Sequence, residues 1–67
     1  MLAHPHPGQR VIIRYAKERA HLFPWHGFTG CVILTAKGKG PLNHLIQLDQ
    51  GPLVVVPCGN LVKEVLP

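Results

Sequence analysis

Acidic residues are scarce in this chain: of 67 residues only three are Asp or Glu, against seven Lys or Arg, for a formal charge of +4 at neutral pH. Such a surplus fits contact with nucleic acid or another polyanion. It is not gathered into a run of five or more like charges, which argues against a disordered basic arm. Cysteine is equally sparse, with only Cys31 and Cys58, far apart in the chain. No hydrophobic leader precedes the polar, Pro-rich start "MLAHPHPGQR". A cytoplasmic location without a membrane partner is therefore expected, and with it two free, buried thiols rather than a disulfide. Aromatic side chains are limited to one Trp, one Tyr and two Phe, few enough that a small core would use most of them. No internal repeat, low-complexity tract or amphipathic segment of helical length occurs, which removes solenoids and helical bundles from consideration.

What is present is a series of short apolar segments separated by Gly and Pro. Residues 1–8 carry Pro5, Pro7 and Gly8 without periodicity and form an irregular lead-in; residues 9–67 form the domain. Strands are predicted at 10–15 (RVIIRY), 29–36 (TGCVILTA), 43–49 (NHLIQLD), 53–57 (LVVVP) and 61–65 (LVKEV). In the first, alternation places Val11, Ile13 and Tyr15 on one face, with Arg10, Ile12 and Arg14 on the other. Between the first two strands "AKERAHLFPWHGF" has good helix formers, but Pro24 cuts them short, so a long loop with one helical turn is expected. Gln50-Gly51 reads as a hairpin turn in which Gly supplies the positive φ, and "CGN" as a tight corner. Five short strands with one long early loop and tight later connections predict an all-β, five-stranded antiparallel barrel.

The segment "PLVVVP" is apolar at every position, as are "VII" and "CVIL". A sheet with one wet face alternates; continuous apolar strands need cover on both sides. A second copy or another protein is expected to cover Leu53, Val54, Val55 and Val56, which makes a homo-oligomer the physical expectation for so small a domain.

Five His residues raise the question of metal. Zinc requires three or four N or S ligands; His21 and His26 have a ligand-like spacing, but no Cys pair accompanies them. His4 and His6 lie in "HPHP" and His44 opens the third strand; without a matching Cys pair the imidazoles are read as loop and surface groups, with neither metal nor cofactor expected. His26 and Cys31 stand near each other, yet Cys31 falls inside a predicted strand and no oxyanion site converges on it, so no catalytic role is expected. For nucleic acid the parts are better matched. "RYAKERAHLFPWHGF" interleaves cations with aromatic rings, the first suited to phosphates and the second to stacked bases. The candidate contact residues are Arg10, Arg14, Lys17, Arg19, Trp25 and His26, with Lys37 and Lys39 from the Gly-rich "AKGKGP".

With the strands in place, the chain resembles the SH3-like small barrels, in particular the KOW type of ribosomal and transcription-elongation proteins. The resemblance rests on "GQRVIIR" (8–14) and on "HGFTGCVI" (26–33), where Gly27, Gly30 and Val32 occupy the Gly, Gly and Val places of that signature. "VVVPCGNLVKEV" is similar to the strand, short 3₁₀ corner and final strand of such barrels. The resemblance implies an SH3-like architecture and contact with nucleic acid through the loops beside the first strands. More distantly, the chain is similar to the plasmid-borne type II dihydrofolate reductases, single SH3-like barrels that assemble around a shared pore. Where that family has Val-Gln-Ile-Tyr, this chain has Leu53, Val54, Val55 and Val56, so the pore-lining Gln and Tyr are missing and reductase activity is not expected. A binding module for nucleic acid is thus the leading expectation, and a protein-interaction or structural subunit the alternative.

Overall fold

The computed structural model describes Leu2, residues 4–35 and residues 42–65. Among the described residues the protein is all-β, with five antiparallel strands in one sheet: β1 (Arg10–Ile13), β2 (Thr29–Leu34), β3 (Asn43–Leu48), β4 (Leu53–Pro57) and β5 (Leu61–Lys63). Their spatial order is β4-β3-β2-β1-β5. Two 3₁₀ turns interrupt the connections, one at Ala20–Leu22 within the long loop and one at Cys58–Asn60. No helix among the described residues is long and apolar enough to cross a membrane.

Strand alternation builds the core. Val11 and Ile13, Val32, Ile46 and Leu48, Val54 and Val56, and Leu61 all point inward and are almost wholly removed from solvent. Each comes from every second position of its strand, because successive side chains leave a strand on opposite faces. Leu2 of the lead-in and Tyr15, Trp25 and Phe28 of the long loop pack against this cluster from its margin.

β4 matches its predicted span, whereas β1, β2, β3 and β5 are shorter than predicted. β1 ends as the chain turns into the long loop: Arg14 N–H still donates to Asn60 O (2.8 Å), opposite it in the β1–β5 register, but Tyr15 N–H leaves the ladder and donates to His26 Nδ1 (3.0 Å). β2 is bulged, since Val32 stands opposite Ile46 but Leu34 opposite Leu45, and the extra residue leaves Ile33 and Leu34 both facing solvent. Residues 36–41, with Lys37 and Lys39, lie outside the described residues.

Two glycines do specific work. Gly51 (φ +119°) makes the β3–β4 turn, as expected, and the Gln47 side chain braces it by donating to the carbonyls of Gly51 and Pro52. Gly30 is buried where β2 passes β3: a Cβ there would lie 2.5 Å from Gln47 O and 2.9 Å from Ile46 Cγ2. The two strands can approach this closely only because position 30 has no side chain.

β4 and β5 are the two outer strands of the sheet, yet only Cys58–Asn60 separates them in the chain. So short a link forces the sheet to curl until its edges meet at that corner. The corner is stitched on both sides: Cys58 N–H donates to Leu42 O (2.9 Å), and Asn60 Nδ2 donates to Arg14 O (3.1 Å) while its own carbonyl accepts the Arg14 amide. No ladder joins β4 to β5 among the described residues, so the sheet is curled but open rather than a closed barrel.

Candidate ligand groove

The long loop, residues 14–28, is held at its neck. Ile13 N–H donates to Phe28 O (2.9 Å) and Gly27 N–H donates to Ile13 O (2.7 Å), which continues the β1–β2 pairing by one step. Inside the neck the His26 ring accepts the Tyr15 amide through Nδ1, so the ring proton of the neutral form resides on Nε2. Beyond that point successive turns fold the loop onto itself, with Phe23 N–H on Ala20 O (3.1 Å) and His26 N–H on Phe23 O (3.1 Å). This brings Tyr15 and Phe23 into a parallel stack, ring centres 3.7 Å apart and planes 3° from parallel. Burial pushes the Tyr15 hydroxyl up from its ordinary pKa, as loss of water disfavours the phenolate.

A groove of about 440 Å³ separates this folded loop from the corner after β4. Its loop wall consists of Tyr15, Ala16, Arg19 and Phe23; its opposite wall consists of Val55 and Pro57, with Asn43 and Asn60 between them. The volume falls within the range of small-ligand sites. The lining combines an aromatic stack, an apolar wall, two carboxamides able both to donate and to accept, and one guanidinium. A planar, hydrogen-bonding, anionic group satisfies all of these at once.

The expected contact residues divide into three groups. Arg14, Lys17 and Arg19 are exposed on the loop, and Arg19 reaches the groove. Arg10 is not placed with them. Its Nη1 and Nη2 donate to the two oxygens of Asp49 (2.6 and 2.5 Å) and its Nε donates to Glu64 (2.8 Å), so the guanidinium is committed to two carboxylates. Arg10, joined by the Thr29 hydroxyl, holds the Asp49 carboxyl well below the usual carboxylate range. Trp25 and His26 are half-buried: the indole packs on the core and edge-on to Phe28 (6.3 Å), and the imidazole props the loop neck.

Of the four apolar β4 positions, Val54 and Val56 point into the core, while Leu53 and Val55 stand outward at 56% and 64% exposure. His44, read from sequence as a surface group, is 2% exposed on the inner face of β3 opposite Val56. Both thiols are free, but half-buried rather than fully buried. Among the described residues no three His, Cys, Asp or Glu side chains converge as a metal site would require.

Tyr15, Phe23, Asn43, Pro57 and Asn60 were not singled out from sequence. Tyr15 and Phe23 belong to the basic-aromatic segment and could have been found by asking which rings a one-turn loop stacks. Asn43 and Asn60 give no local signal, because only the curl of the sheet brings them together. No protein-family model, curated protein or solved structure matches this chain.

Proposed function

We propose that this protein is a small binding module for single-stranded nucleic acid, which lies along the 14–28 loop with a base in the groove. The observation that carries the reading is Arg19 beside the Tyr15–Phe23 stack in a groove that also holds two carboxamides. Aromatic faces accept any base, carboxamides reach base edges, and guanidinium meets phosphate. Arg14 and Lys17 extend the cationic track on the same loop, and two of the three acids, Asp49 and Glu64, are occupied elsewhere by Arg10. The KOW-like placing of Gly27, Gly30 and Val32 in the sequence favours the same class of ligand.

Three phosphate contacts on a single strand give a slope of about −2 for log affinity against log salt. Titrating labelled single-stranded oligonucleotides by fluorescence anisotropy across a salt series measures it. Arg19→Ala is expected to make the slope shallower by about 0.7, and Phe23→Ala to weaken binding by about 1–3 kcal/mol at any salt. A flat salt response, no binding at low salt, or affinity unchanged in both variants would overturn the reading.

A further inference from the structure

Few bonds tie one arm of the 14–28 loop to the other. Among the described residues, its internal backbone bonds join residues three apart: Arg19 N–H to Ala16 O (2.8 Å), Leu22 N–H to Arg19 O (2.9 Å), Phe23 N–H to Ala20 O (3.1 Å), His26 N–H to Phe23 O (3.1 Å) and Phe28 N–H to Trp25 O (3.0 Å). Such turns fold each arm without fastening it to its neighbour. That task falls to the Tyr15 amide on His26 Nδ1 and to the Tyr15–Phe23 stack. Tyr15 carries both of these cross-loop contacts and is also a wall of the groove.

We infer that His26 is a proton-sensitive latch: protonation of its ring releases Tyr15 and opens the loop wall of the groove. A backbone amide only donates, so Nδ1 must keep its lone pair, and the bond exists only while the imidazole is neutral. The protonated ring has an N–H on both nitrogens and no acceptor. It sets one donor against another and leaves the half-buried Tyr15 amide without a partner. Histidine is also the side chain whose ordinary titration falls between about pH 5 and 8.

The surroundings confine the opening to the loop. The charged groups on it are Arg14, Lys17, Glu18 and Arg19, with His21 a second imidazole. Among the described residues no ion pair reaches His26, since the two that form join Arg10 to Asp49 and to Glu64. β1 meets the loop at Ile13 and the corner after β4 meets it at Asn60, and neither residue titrates. The Ile13–Phe28 and Gly27–Ile13 bonds, one step nearer the sheet, and the Asn60–Arg14 bonds therefore persist when the ring is protonated. The inference concerns the groove wall rather than what fills it, so it stands independently of the ligand proposed above.

NMR of the full chain between about pH 7.5 and about pH 5 tests the latch. Amide exchange, corrected at each pH for the intrinsic rate, is expected to show the protection of Tyr15 N–H falling about tenfold, while Val11, Ile46 and Val56 in the core keep theirs. The Tyr15 and Phe23 ring protons, which shield one another in the stack, are expected to move toward free-side-chain shifts over the same interval. In the unmodified protein both changes must follow the titration of the His26 ring nitrogens. His26→Asn places a carboxamide oxygen that does not titrate near the position of Nδ1 and is expected to abolish both responses; His21→Asn, on the same loop, is expected to retain them. Circular dichroism at neutral pH checks that the variants keep the fold. Unchanged Tyr15 protection, a change that follows another histidine, or a response that survives in folded His26→Asn would each overturn the latch. Core amides losing protection together with Tyr15 would overturn it too, by showing a global opening through the enclosed His44.

Discussion

The 14–28 loop and the β2–β3–β4 half of the sheet are built from the same kind of core contact but differ in what they show to solvent. Both turn apolar side chains inward: Tyr15, Trp25 and Phe28 from the loop, and Val32, Ile46, Leu48, Val54 and Val56 from the strands, which also enclose the polar His44. Outward, the loop presents Arg14, Lys17, Glu18 and Arg19, while the strands present an uncharged face with Leu34, Leu53 and Val55. The division is not complete, since Val55 of the apolar strands is also a wall of the groove beside the loop. Any phosphate contact on the loop would weaken as salt screens it, whereas apolar packing is insensitive to screening.

The comparison breaks most severely if the strands lose their close approach. Gly30→Ala would drive a Cβ into the Gln47 carbonyl, a backbone atom that cannot swing aside. Urea denaturation is expected to show a loss of about 1–3 kcal/mol, a large fraction of what so small a core can supply.

A smaller change separates the two regions. Asn60→Ala removes the side-chain hydrogen bond that ties the corner after β4 to Arg14 at the loop root. About 1 kcal/mol of stability should be lost, and oligonucleotide affinity should fall as the groove walls loosen.

The smallest effect is expected for Asp49→Asn, whose cost is present at neutral pH and fades in acid. The folded state depresses the Asp49 pKa below its unfolded value of about 3.9, so the fold binds fewer protons there than the unfolded chain does. Its contribution is therefore complete above that pH and is lost as pH falls further. Acid titration of ellipticity should show a steeper decline below about pH 4 in the unmodified protein than in Asp49→Asn. Equal acid profiles would show that the Arg10–Asp49 contact adds nothing to the fold.

Much of the architecture was legible residue by residue. β4 spans the predicted 53–57, the corner falls at "CGN", and Gly51 has the positive φ that the hairpin required. Val11 and Ile13 face inward, with Tyr15 packed on the same cluster, as their alternation indicated. The candidate site was legible only in its loop half. Arg10 looked like its neighbours in sequence, yet its two carboxylate partners lie 39 and 54 residues away along the chain. Trp25 belongs to the basic-aromatic loop in sequence and the fold leaves it half-buried against the core, while His44 looked like a strand-opening surface group but is enclosed.

What the sequence determined by itself was the set of strands, their inward and outward faces and the overall basic charge, because these depend on spacing between near neighbours and on composition. The tertiary structure alone decided which cation is neutralised, which rings stack, and that Asn43 and Asn60 share a groove with Arg19. Those outcomes depend on sheet register and curl, through which residues distant in the chain come within hydrogen-bonding range, and no local pattern specifies that distance.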